Sequence, residues 1–290
     1  MQKYHETVIN SAHAVGVSPS SLSRHIIEIT SRKLKEFKER DLSFINPFAV
    51  FIDTIHRAGE AYLVALGIDT EGNKHVLGFW QGATENHEIC ESLLSDLERR
   101  GLLLSKKILW VTDGGKGIIK AIKDRYGKKL LHQRCTIHKD KNIQRHLAKK
   151  YRKEAHRRFT IALEQNSYED ACQMLKDFEK WLRSINESAA DSLLEAFEDI
   201  LTLHKLKVPV LLRKTLTSTN PIESMFSTVR DCEGNIKRYR GSSMSQRWLA
   251  SVLLYCEKGF RRIKGYRDIA GVVAAIEKMH EEQGQLQAAA

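Results

Sequence analysis

Three acidic residues occupy places where an isolated charge needs a purpose. Asp53 closes the apolar run Phe48-Ala49-Val50-Phe51-Ile52, and Asp113 closes Ile108-Leu109-Trp110-Val111-Thr112. Glu223 falls at the start of a helix announced by Thr219-Asn220-Pro221. An aspartate ending a buried strand is costly unless its charge is compensated. Two in similar settings suggest carboxylates gathered around a divalent cation. Magnesium prefers carboxylate oxygen and keeps several waters, so two or three acids suffice. Two such ions about 4 Å apart can supply an activated oxygen nucleophile and stabilise charge at a phosphate. Each acid also has a plainer use on its own. Asp113-Gly114 is a common turn, Asp53 could cap a loop, and Glu223 could complement a helix N-terminus. Spacing alone leaves that choice open.

The elements needed to position these acids are legible in outline. Phe48 to Asp53, Ala61 to Asp69 and Lys74 to Trp80 form a meander of three strands, with Thr70-Glu71-Gly72-Asn73 as a hairpin turn. An amphipathic helix spans Glu85 to Arg100, and Gly101 stops it. A buried strand over Lys107 to Asp113, a helix over Ile118 to Tyr126 and a strand over Lys129 to Arg134 follow. From His138 to about Leu206 the pattern is helical throughout. Helices over Ile222 to Asp231 and Gln246 to Arg262 close the core, and Gly284 to Ala290 reads as a disordered tail. The order implies an α/β core interrupted by an all-helical insertion.

Ahead of the core, Gln2 to Phe37 reads as helical. Ala12, Gly16 and the Ser18-Pro19 cap suggest a helix-turn-helix. Its second helix would present Ser20, Ser21, Ser23 and Arg24 to a DNA groove and bury Leu22, Ile26 and Ile27. An ordinary helical hairpin accounts for the same residues.

The 290-residue chain carries 47 Lys+Arg against 36 Asp+Glu, a net charge of +11 that suits a polyanionic partner. No apolar run reaches the roughly 18 residues a membrane helix needs. The five scattered cysteines fit a reduced, cytoplasmic chain better than a disulfide framework.

Several stretches together resemble the Mutator-type transposases of bacterial insertion sequences, which are RNase H-like enzymes with an Asp-Asp-Glu triad. They are Phe51-Ile52-Asp53, Gly67-Ile68-Asp69, Gly72 to Trp80, Val111-Thr112-Asp113-Gly114-Gly115-Lys116-Gly117, Gln133 to Lys139, and Thr219 to Phe226 with Arg230 following. The resemblance implies that Asp53, Asp113 and Glu223 bind two Mg2+ or Mn2+ ions. It implies cleavage at element ends and strand transfer into target DNA. It also implies that the helical insertion precedes the Glu-bearing helix, and that the Cys-x-x-His element matched by Cys135 and His138 shapes the site. Zinc at that pair would need a second pair of ligands, which the sequence does not offer.

Two basic stretches would then grip phosphates. Lys139, Arg145, Lys149 and Lys150 belong to the first; Arg238 and Arg240, beyond Arg230, belong to the second. The expected segments are 1–46 (helical, DNA-binding), 47–138 (core), 139–217 (insertion), 218–265 (core, with the Glu-bearing helix) and 266–290 (terminal helix and tail). Expected partners are the element's terminal inverted repeats, target DNA and further copies of the chain, in the nucleoid of a bacterial cytoplasm. The family's DNA-binding region ahead of the first aspartate is typically longer than the one here, so a truncated copy is an expectation. A non-catalytic repressor of transposition and a structure-specific nuclease are the rival readings.

Overall fold

The computed structural model describes residues 18–288 except 58, 83–86, 106, 128–129, 235 and 237. The first half of the expected helix-turn-helix lies outside these residues. Strand β1, Pro47–Arg57, is apolar from Pro47 to Ile52, is buried at nearly every position, and lies at the centre of a five-stranded sheet. A run without polar alternation marks a strand covered on both faces. The strand order is β3-β2-β1-β4-β5. β2 (Glu60–Asp69) and β3 (Lys74–Gly82) extend the sheet antiparallel on one side. β4 (Leu109–Thr112) and β5 (Leu131–Arg134) add parallel strands on the other.

One expectation needs correcting. β1 does not end on Asp53 but runs on to Arg57, because β2 stays paired with it throughout, Asp53 opposite Val64. β4, by contrast, stops at Thr112 opposite Ile52. Asp53 is therefore mid-strand, one residue past the last rung of its parallel neighbour.

Successive side chains of β1 face opposite sides. Phe51 and Ile55 join one core with Val64, Phe79 and Val111. Val50 and Ile52 join another with Leu63, Trp110 and Leu77. The second core is sealed by α2 (His87–Arg99) and α3 (Lys116–Tyr126). The first is sealed by α1 (Pro19–Glu39) and, from the far end of the chain, by helices named below.

Between β5 and those helices lies a helical region. It comprises α4 (Thr136–Arg145), α5 (Lys149–Leu163), α6 (Tyr168–Arg183), α7 (Glu187–Leu194), α8 (Phe197–Ile200), α9 (Thr202–Lys205) and α10 (Val210–Leu216). Its core, around Ile143, Phe159, Leu175, Phe178, Leu182 and Leu193, is separate from the two on the sheet. Leu203, Leu212 and Leu216, at its end, join the first sheet core instead. The outer edge of β5 meets this region through side chains. Thr202 Oγ1 donates to the His132 carbonyl (2.5 Å), Gln133 Nε2 to the Ile200 carbonyl (3.2 Å), and the Leu203 amide to Gln133 Oε1 (3.3 Å).

α11 (Asn220–Glu233), α12 (Ser242–Lys258) and α13 (Ile269–Ala288) complete the fold. Ile222, Met225, Phe226, Leu249 and Leu253 form the lid on the first core. α13 reaches Ala288, so the expected tail is helical as far as that residue, in keeping with its Leu, Gln and Ala content. In α1, Ser18 accepts from the Ser21 amide with Pro19 following, as the sequence predicts. Ile27 is not buried, however; it is 45% exposed, and Leu34 and Phe37, two and nearly three turns further on, are what meet the core. None of the helices among the described residues is long and apolar enough to cross a membrane.

Candidate active site

The parallel register sets two of the acids side by side. Ile52 pairs with Thr112, so the next residues, Asp53 within β1 and Asp113 just past β4, stand at neighbouring positions. Asp53 projects to the face of Phe51, where α11 crosses, and is only 5% exposed. Its Oδ1 accepts from the Thr54 amide (2.8 Å), whereas Oδ2 is buried without a partner. Burial pushes its carboxyl up to about 7, and the charges of Asp113 and Glu223 add to the rise against the Thr54 amide and His138. Asp113 is half-buried, and its Oδ1 accepts from the Gly115 amide (3.0 Å).

Glu223 comes from the first turn of α11. Thr219 caps that helix without a side-chain bond to it, because both its groups are turned elsewhere. Its amide and Oγ1 donate to Cys135 Sγ at 3.4 and 3.5 Å. His138 Nδ1 lies 3.2 Å from the same sulfur, and His138 Nε2 lies 3.9 Å from Glu223 Oε1. Thr136 adds a second tie, its amide and Oγ1 both donating to the Thr217 carbonyl (2.9 and 3.1 Å). Cys135 and His138 thus fasten the start of α4 to the start of α11. Burial alone would raise the Cys135 thiol, but the His138 ring and amide and the Thr219 donors bring it below its usual value. The Cys135 contact raises the His138 imidazole, and Asp53 and Asp113 reinforce the rise.

The donor set suits a hard cation. It is all carboxylate, and Asp53 Oδ2 is a buried oxygen with nothing to bind. Among the described residues no three acidic, imidazole or thiol groups stand close enough to enclose an ion as they are. Glu223, half-exposed on a helix, is the acid with room to turn inward.

Other expected residues divide. Ser20, Ser23 and Arg24 are exposed on α1, while the Ser21 hydroxyl accepts from Ser18 Oγ (3.0 Å). Arg145, Lys149 and Lys150 are exposed on the helical region. Arg230 is exposed with its guanidinium 3.9 Å from Glu223. Arg238 and Arg240 are exposed on either side of Tyr239, whose hydroxyl joins a buried cluster with Arg57 and Glu233. Lys139 does not belong with them. It is 1% exposed, and its Nζ donates to the Ser192 carbonyl (2.7 Å) and to Glu195 Oε2 (2.6 Å), so it holds α4 to the end of α7 and reaches no phosphate.

Sequence reasoning missed the polar residues of β5. Arg134 Nη1 donates to the Gly114 carbonyl (3.0 Å), and its guanidinium fills the space a Cβ at Gly114 would need. Gly114 also has φ +97°, a conformation that excludes most side chains. No spacing in the sequence marks these residues, because their partners lie in distant segments.

The profile described as "Transposase, Mutator family" matches residues 3–262. The chain belongs to this family. It is 30% identical over 282 residues to the transposase for insertion sequence element IS905 of Lactococcus lactis, covering 93% of this chain and 69% of that protein. It is 27% identical to the IS6120 transposase of Mycolicibacterium smegmatis, covering 74% of this chain and 67% of that protein. A Lactobacillus helveticus relative, the transposase for element IS1201, is also 27% identical, over 76% of this chain and 58% of its own length.

Proposed function

We propose that this Mutator-family chain cleaves DNA at the ends of its insertion sequence and joins the freed ends to target DNA, using Asp53, Asp113 and Glu223. The observation that carries the proposal is the placement of Asp53 and Asp113 at neighbouring positions of adjacent strands, with Glu223 near enough for its charge to act on Asp53 and a buried Asp53 oxygen left unpartnered. A meander followed by two parallel strands supports an RNase H-like core.

The three carboxylates would hold two Mg2+ or Mn2+ ions, which supply activation of the attacking oxygen and neutralise charge at the phosphate. The rest falls to the chain's own groups. Asp53, whose carboxyl is raised to about 7, must give up its proton to serve as a ligand. His138, more basic than usual, offsets the negative charge of Asp53 and Asp113. Arg145, Lys149, Lys150, Arg230, Arg238 and Arg240 would hold phosphates without reading sequence, and α1 with Ser20, Ser21, Ser23 and Arg24 would approach the terminal repeats.

A nicking assay tests this on duplexes carrying the element's terminal repeats, with Mg2+ and the full chain. Asp113→Asn should lose cleavage by about 10³-fold, as expected for a group that supplies several kcal/mol of charge stabilisation, and should still bind the repeats. Full-rate nicking by that variant would overturn the assignment. Binding without nicking by the unaltered chain would favour the repressor, and equal cutting of branched DNA lacking the repeats would favour the nuclease.

A further inference from the structure

We propose that Asp199, His132 and Thr112 form a positioning chain that fixes the backbone beside Asp113 and makes its placement depend on the helical region. The inference rests on Asp113 being a metal-holding acid. His132, on β5, is almost wholly buried, with Nδ1 2.9 Å from Asp199 Oδ2 and Nε2 2.9 Å from Thr112 Oγ1. Thr112 Oγ1 in turn accepts from the Gly114 amide (3.2 Å).

The direction of these bonds follows from what each group can give. Asp199 is an acceptor: burial works against its charge, but the His132 contact and nearby cations hold its carboxyl below the usual range. The His132 proton therefore sits on Nδ1, which leaves Nε2 to accept the Thr112 hydroxyl proton. The Thr112 oxygen then has lone pairs free for the Gly114 N–H. Carboxylate, imidazole and hydroxyl stand in the order of a hydrolase triad. Here they cannot serve as one, because Thr112 has no exposed surface and no substrate can reach its oxygen. The output of the chain is a peptide group.

Gly114 is held through the peptide groups on both sides of it. The Gly114 amide goes to Thr112, and the Gly114 carbonyl accepts from Arg134 Nη1, whose Nη1 also lies 3.5 Å from Glu195 Oε1. Asp199 and Glu195 both come from the helical region, on α8 and just after α7. The residue following Asp113 is therefore pinned by two arms that begin outside the sheet. Groups that orient a ligand in this way typically matter by about 10–100-fold in activity or metal affinity.

The test uses the full chain, terminal-repeat duplex and Mg2+. Thr112→Val keeps the branched shape and removes the hydroxyl; Thr112→Ser restores it; Asp199→Ala removes the other end at a partly exposed position. Thr112→Val and Asp199→Ala should each slow nicking at saturating DNA by about 10–100-fold and raise the Mg2+ concentration for half-maximal rate. The DNA concentration for half-saturation should not move, a separation that general loosening of the fold would not produce. Thr112→Ser should return to within about threefold of the unaltered rate, and the double variant should be no slower than the worse single one. Should Thr112→Val fail to fold, Asp199→Ala carries the test. Full-rate nicking by Thr112→Val or Asp199→Ala, with Asp113→Asn silent, would overturn the positioning chain alone. Full-rate nicking by Asp113→Asn would overturn the reading of Asp113, and the chain with it.

Discussion

The acids on the sheet and the acid on the helix are held by different physics. Asp53 is fixed by a strand paired through its whole length on one side, and Asp113 by a loop whose next residue, Gly114, is bonded through both its N–H and its C=O. Their places are set by backbone, and burial has raised Asp53 far above an ordinary carboxylate. Glu223 is half-exposed on the first turn of α11 and reaches the others through a movable side chain. Its helix is located by sulfur, imidazole and hydroxyl contacts with Cys135, His138 and Thr219. One side of the site is rigid and strained by charge. The other is tolerant and adjustable.

Gly114→Ala attacks the rigid side hardest. A Cβ there would lie 1.4 Å from Arg134 Cζ at a φ of +97°, and the combined clash and strain should cost about 3 kcal/mol or more. Thermal denaturation and nicking should both show the loss; an unchanged Tm would mean the Asp113 loop is not held as described.

Asp53→Asn should move stability the other way. Burial pushes the folded carboxyl up to about 7 from an ordinary 3.8. Between these values the folded chain keeps a proton that the unfolded chain has lost, so stability falls as pH rises through that window. In metal-free buffer the variant should be more stable at pH 8, by on the order of 2–4 kcal/mol, with the gain vanishing towards pH 4. Added Mg2+ should raise the Tm of the unaltered chain more than that of Asp53→Asn. A stability of Asp53→Asn at pH 8 equal to that of the unaltered chain would erase the contrast between sheet and helix.

The smallest effect is expected at the joint of α11. Cys135→Ala removes an acceptor for the Thr219 amide and should cost about 1 kcal/mol. The His138 imidazole should titrate lower in that variant, because the Cys135 contact is the main cause of its rise. NMR titration of His138 reads this directly.

Much of this was legible from the sequence. The strand and helix order followed from apolar runs and turn residues, and the three acids were chosen from their place at the ends of those runs and the flanking motifs. The misses share a cause. Asp53 was read as a strand end because an acid interrupts an apolar run, yet pairing with β2 carries the strand on through Thr54 and Ile55. Lys139 falls in a charge run of the kind that usually faces solvent, and only partners more than 50 residues away, the Ser192 carbonyl and Glu195, take it inside. His132 and Arg134 gave no pattern at all, since their purpose lies in the distant residues Asp199, Glu195 and Gly114.

The side-chain bonds along the outer margin of β5 have one more consequence. An open strand edge is a template on which other chains can add. There the Thr202 hydroxyl takes the His132 carbonyl, and the Gln133 side chain bonds the Ile200 carbonyl and the Leu203 amide, so the helical region covers this margin of the sheet. A version trimmed of residues 139–217 would lose that cover and open the β5 margin to pairing with another copy.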